Sequence, residues 1–190
     1  IKTQKWSPTG VPTIYRLINE LDSNNLFKLE VLITAKDKMP WWNYGLAKVI
    51  KISGLSSKVT VLSSINLNLG RFGTLAQEVF QMFYIFIKVL YGNYEVIYLD
   101  HANIFSASLL SRLQRTPVVF RVMGVYPAMR YSLIKNNLSS KVLRWCYASP
   151  FSMVICTQDG SGIEPWLDKA IIKTVPIHKL INGVEFKVPY

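Results

Sequence analysis

The segment "DHAN", Asp100 to Asn103, follows directly on the β-branched and aromatic run "YEVIYL" and sets an imidazole beside a carboxylate and close to an amide. Histidine is the side chain that changes charge most readily near neutral pH. A carboxylate next to it can orient the ring or accept a hydrogen bond from a substrate hydroxyl. His101 and Asp100 are therefore the candidate catalytic residues, and Asn103 is a candidate substrate contact. The same side chains have a plainer use, because an Asp at a strand end can cap the backbone N–H groups of its own turn. His178, beside Lys179 in what reads as a connecting segment, is assigned a structural or solvated role.

A site of this kind needs a scaffold that brings it to one rim. Short β-branched runs alternate with helical patterns along the chain: "KLEVLIT" (28–34), "KVTVLSS" (58–64), "YEVIYL" (94–99), "TPVVFRV" (116–122), "SMVICT" (152–157) and "AIIKTV" (170–175) read as strands. Between them apolar residues recur at helical spacing, as in Ile14, Leu17, Ile18 and Leu21, or Phe105, Leu109 and Leu113. The alternation predicts an α/β fold, a Rossmann-like parallel sheet with helices on both faces, as one domain over residues 1–190.

In open parallel sheets the ligand crevice lies beyond the carboxyl ends of the strands. That rule selects Thr9 and Gly10, Arg71, the "DHAN" turn, Arg121 with Gly124 and Tyr126 just after it, Thr157, and Asn182 with Gly183 as substrate-binding candidates. Thr9-Gly10 precedes a helix that starts near Pro12, so this turn can present backbone N–H groups to an anion, or can simply be a tight loop that needs glycine. Arg71 stands between Gly70 and Gly73 in "NLNLGRFG", a cation on a flexible loop that can meet a phosphate or remain solvated.

Several chemistries are excluded. The phosphate-loop pattern is absent, and "GSGIEP" at 160–165 breaks the dinucleotide fingerprint at its third glycine. There is no GxSxG elbow, and two histidines with two scattered cysteines, Cys146 and Cys156, make neither a triad nor a metal cluster. Cysteines without CxxC spacing also argue against a disulfide framework and favour a reducing, cytosolic compartment. The start "IKTQKWSPTG" has no apolar segment of the signal-peptide type.

The charge balance is lopsided. Twenty-two Lys and Arg against 11 Asp and Glu leave a formal charge of +11, which calls for an anionic partner. The most apolar window, "VFQMFYIFIKVLYG" (79–92), is too short to span a bilayer and reads as a buried helix. The window "KDKMPWWNYGLAKVIKI" (36–52) interleaves Trp41 and Trp42 with Lys48 and Lys51, while in "YSLIKNNLSSKVLRWCY" (131–147) Leu138, Val142 and Trp145 or Cys146 form an apolar stripe with Lys135, Lys141 and Arg144 away from it. Basic residues with interfacial aromatics are the ingredients of peripheral contact with an anionic membrane. An ordinary amphipathic surface helix is the plainer explanation of the second window.

In chain order, "TGVPTIYRLINEL", "YEVIYLDHAN", "TPVVFRVMGVY", "SMVICTQ" and "KLINGVEF" together resemble the amino-terminal half of family 4 glycosyltransferases, which have the two-domain GT-B architecture. They match that family's Gly-rich turn and first helix, a strand ending in a polar loop, the strand before the "HG" loop, a strand ending in Ser or Thr, and the "NGVD" signature. The resemblance implies transfer of a sugar, with retention, from a nucleotide-diphosphate donor to a sugar or lipid-linked acceptor, without cofactor or obligate metal. It further implies that the chain is the acceptor-side domain and that its partner is its own carboxy-terminal domain, to which Asn182-Gly183 leads. Carried over, Gly10 matches the loop that approaches the donor phosphates and Thr157 the strand-end hydroxyl. Met123 stands where many members have histidine, and Thr9 replaces the first glycine of the usual pair. The expected location is cytoplasmic, peripheral at the inner membrane face. The competing expectation is a non-catalytic basic module that binds anionic lipid or nucleic acid, of which nucleic acid is the less favoured partner.

Overall fold

The computed structural model describes residues 12–24, 26–35, 47–63, 70–158 and 162–181. Thr9, Gly10, Trp41, Trp42, Asn182 and Gly183 lie outside them. The chain divides into two compact units, Ile1–Gln81 and Met82–Tyr190, with the helix Gly70–Tyr91 running across the division.

In the first unit, α1 (Pro12–Ser23) precedes three strands, β1 (Glu30–Thr34), β2 (Ala47–Ile50) and β3 (Lys58–Leu62), in the order β1-β3-β2. β1 pairs with β3 in parallel, as the sequence predicts, whereas β2, which is not among the strands read from the sequence, joins β3 antiparallel. The core holds Val31, Ile50, Ile52, Leu55, Val59 and Val61, with Ile18 of α1 against it. Asp22 ties the end of α1 to the turn before β3: its carboxylate accepts bonds from the Ser56 and Ser57 amides, both at 2.8 Å, and from Ser56 Oγ. Burial pushes this carboxyl up, but those bonds outweigh it and hold it below its ordinary value.

The second unit carries a four-stranded, all-parallel sheet flanked by helices, a Rossmann-like arrangement. Its strands are β4 (Ile97–Asp100), β5 (Val118–Val122), β6 (Met153–Gln158) and β7 (Ile177–Ile181), in that spatial order. α2 (Gly70–Tyr91) precedes β4; a single 3-10 turn (His101–Asn103) and α3 (Ile104–Leu113) join β4 to β5. α4 (Pro127–Ile134) and α5 (Leu138–Tyr147) join β5 to β6, and α6 (Ile163–Ala170) leads to β7. Leu99, Phe120, Val122, Val154 and Cys156 fall on one face by strand alternation and register, and all are buried. Phe120 stacks on Phe151 at 4.8 Å.

Four expectations are corrected. The strand expected over 170–175 is the end of α6 and a turn; the strand is "IHKLI", and it contains His178, which was expected in a connection. The apolar window at 79–92 is helical, but Val79, Phe83, Ile87 and Leu90 are exposed on it, so it is not a buried helix. Arg71 lies in the first turn of α2 and not on a loop. The Pro127–Ser149 region is two helices broken at Asn137, whose side chain caps α5 by accepting from the Ser140 amide at 2.9 Å. Among the described residues no helix is long and apolar enough to cross a membrane.

Candidate functional site

β4, β5 and β6 end side by side, and their register decides which side chains meet at the rim. Asp100 is the register partner of Arg121, and Arg121 of Ile155. Residues paired in register point to the same face, and so do residues two apart on one strand. Asp100, Arg121 and Thr157 therefore share one face at the carboxyl ends of three adjacent strands, each about 4.8 Å from the next.

These three are polar groups in an apolar setting. Arg121 is 3% exposed and Thr157 5%. Asp100 Oδ1 and Thr157 Oγ1 are buried and have no hydrogen-bond partner among the described residues. Orphaned buried polar atoms are rare because each costs roughly 1–3 kcal/mol of desolvation, and they call for an explanation. Burial pushes the Asp100 carboxyl above its usual range, and the Arg121 guanidinium draws it back only in part. The same cation, hydrogen-bonded to Tyr98, partly offsets the rise that burial causes in that phenol. The His101 backbone N–H also holds the Asp100 carboxyl down, a local contact with its own turn, although the side chain makes no cap bond to the 3-10 helix.

His101 is placed differently. Its Nε2 shares a 2.8 Å hydrogen bond with the Tyr147 hydroxyl of α5, and the two rings stack at 6.0 Å. Phe120 and Tyr126 close around the imidazole at 6.3 and 5.6 Å. Burial lowers its pKa, which keeps the ring neutral, and burial pushes the Tyr147 phenol up, which keeps it protonated. The imidazole's partner is thus a tyrosine, with Phe120 and Tyr126 packed about the ring.

Gly124 follows β5 with φ +92°, a left-handed conformation that a β-carbon would strain, and this turn sends Tyr126, half exposed, to the start of α4. Asn103 closes the 3-10 turn. The strand ends thus gather Asp100, His101, Asn103, Arg121, Gly124, Tyr126 and Thr157 within one unit. Lys48 on β2 and Lys51 beyond it are exposed, on the first unit. Arg144 is committed internally, donating to the carbonyls of Ser132 at 2.6 Å and Lys135 at 2.8 Å, while Lys141 is exposed.

Two residues were missed. Tyr98 could have been found, since it lies two positions before Asp100 and shares its face. Tyr147 could not, because nothing local links it to a histidine 46 residues earlier. Among the described residues no group of His, Cys, Asp and Glu is placed to hold a metal ion.

In comparison with family models, curated proteins and solved structures, nothing matches this chain.

Proposed function

We propose that the chain is the acceptor-side domain of a retaining glycosyltransferase, which takes a sugar from a nucleotide-diphosphate donor held by a second domain. The observation that carries this reading is the pair of orphaned polar atoms, Asp100 Oδ1 and Thr157 Oγ1, beside the buried Arg121 at the carboxyl ends of adjacent parallel strands. A carboxylate, a hydroxyl and a guanidinium are complementary to a ligand that offers several hydroxyls and a developing negative charge. Asp100 accepts from an acceptor hydroxyl, Thr157 bonds a neighbouring oxygen, and Arg121 supplies a fixed cation for the departing diphosphate. His101, held neutral and turned toward Tyr147, positions the rim together with Tyr126. The ordered sequence resemblance to family 4 points the same way.

Titration with mono- and disaccharide acceptors and a panel of nucleotide-diphosphate sugars, followed by amide NMR, tests the site. Shifts should centre on Asp100, Gly124 and Thr157, and Asp100→Asn with Thr157→Ala should abolish them. In the full gene product Asp100→Asn should slow sugar transfer about a hundredfold, the scale expected for one oriented polar contact. No response of these amides to any saccharide or sugar nucleotide overturns the reading.

A further inference from the structure

The α4–α5 hairpin is two-sided. Its inner side is sealed: Met129, Ser132, Ser140, Cys146 and Tyr147 are at most 4% exposed. Trp166 of α6 donates its indole N–H to the Met129 carbonyl at 3.1 Å. Arg144, bonded to the Ser132 and Lys135 carbonyls, locks α5 against the end of α4. The outer side is apolar and uncovered. Ile134 and Leu138, flanking the tip, are 79% and 78% exposed, and behind them stand Tyr131, Val142 and Trp145 at 51%, 39% and 54%. Positions 138, 142 and 145 are spaced as one helical stripe, and 131 and 134 as another. An apolar stripe on a short surface helix normally faces the core, so its outward placement on both helices needs a reason.

Charge identifies what covers it. From His101 to Gln158 the chain contains seven Lys and Arg and no Asp or Glu. Of the seven, Arg121 is in the sheet and Arg144 is tied within the hairpin. Arg115, Arg130, Lys135 and Lys141 are exposed, the last three on the hairpin itself. Lys135 Nζ lies over the Tyr131 ring at 4.3 Å, a cation on the aromatic surface, while Arg112, over Trp145 at 3.9 Å, is committed to the carbonyls of Ser108, Trp145 and Ala148 and packs the indole from within. An apolar tip, a second tier of Tyr and Trp, and cations on a stretch of chain that contains no Asp or Glu match the depth profile of a lipid leaflet: acyl chains, interface, anionic headgroups.

We infer that the tip of the α4–α5 hairpin is a membrane-docking surface: Ile134 and Leu138 enter the acyl boundary of an anionic leaflet while Lys135 and Lys141 engage its headgroups. This inference is independent of the transferase reading, since no sugar or nucleotide takes part. It replaces Arg144 with Lys135 as the headgroup contact, because Arg144 is consumed inside the hairpin.

Flotation with vesicles of phosphatidylcholine alone and of phosphatidylcholine with phosphatidylglycerol tests it. The protein should float with the anionic vesicles and be largely left behind by the neutral ones. Ile134→Asp with Leu138→Asp should abolish flotation, with the fold checked by circular dichroism. Lys135→Gln with Lys141→Gln should weaken it by about fivefold per charge removed, roughly 25-fold together. A bimane label on Leu138→Cys should shift to the blue only with anionic vesicles. Absence of flotation, equal partition to both vesicle types, or unchanged binding by the double Asp variant overturns the inference. So does a dimer in sedimentation that the double Asp variant dissociates, which would assign the patch to a second copy of the chain. Sugar binding at Asp100 and Thr157 is read separately, so either proposal can fail alone.

Discussion

One face of the β4–β7 sheet consists of Leu99, Phe120, Val122, Val154 and Cys156, none more than 8% exposed, while the other carries Tyr98, Asp100, Val119, Arg121, Ile155 and Thr157. The first face is purely apolar and filled by aromatic packing, with Phe120 on Phe151 and Tyr147 edge-on to Trp166 at 4.7 Å. The second places an acid, a guanidinium and a hydroxyl where a domain designed only for stability would place aliphatic side chains. Tyr98 on that face remains 37% exposed. The first face is packed for stability, whereas the second keeps two buried oxygens, Asp100 Oδ1 and Thr157 Oγ1, without a hydrogen-bond partner among the described residues. The same division recurs in the α4–α5 hairpin, where a sealed inner side holds the fold and an uncovered outer side is available for a partner.

The sharpest way to break this comparison is to empty the apolar face. Phe120→Ala removes a fully buried ring and should cost about 3–5 kcal/mol in denaturant unfolding. A loss below 1 kcal/mol would mean that the face does not carry the core. On the other face, Arg121→Met leaves Asp100 without its compensating cation and should cost about 3 kcal/mol. Adding Asp100→Asn should recover most of that loss, because the two residues are register partners and couple directly. Strict additivity in this cycle would show that the two side chains do not interact.

Much of this division is legible in the sequence, and the failures have physical causes. β1, β3, β4, β5 and β6 declare themselves because they are short β-branched runs bounded by turns. β7 does not: "IHKLI" carries His178 and Lys179, as an edge strand can, while the more apolar "AIIKTV" before it draws the assignment. β2 is hidden because its four residues lie inside a window whose tryptophans and lysines suggest surface chemistry. At the site, "DHAN" and Arg121 are readable from the strand-end rule, and Tyr98 from alternation. The Tyr147 contact is a tertiary event between α5 and the turn after β4, which no local pattern encodes. The outward turn of Leu138, Val142 and Trp145 is one of two readings the sequence leaves open, since an amphipathic stripe tells that a helix has an apolar side and not which way that side faces.

A smaller effect sharpens the hairpin half of the comparison. Asn137→Ala removes the cap of α5 and should cost about 1 kcal/mol, with Asn137→Asp close to neutral. Because the tip residues on either side of Asn137 are exposed, the loss should appear as local opening of α5 in hydrogen exchange before it appears in global unfolding. Uniform loss of protection across the sheet would show that hairpin and sheet open together.

The smallest expected effect is a slope. Burial lowers the folded pKa of His101 below its free value of 6.5. The unfolded chain therefore takes up a proton near pH 6.5 that the folded chain refuses, and stability falls as the pH drops from there toward the folded value. Below the folded value the contribution is flat, because both states are protonated. Asp100 works with the opposite sign: its folded pKa is raised above 3.8, so acidification toward 3.8 stabilises the fold. The two contributions oppose each other wherever their windows overlap, and an Asp100→Asn background isolates the histidine. In that background chemical unfolding between pH 7 and 5 should lose stability on acidification, and His101→Gln should flatten the profile. A slope that survives the His101 substitution would place its origin elsewhere, and the packing of Phe120, Tyr126 and Tyr147 about the ring would then not be what keeps the imidazole neutral.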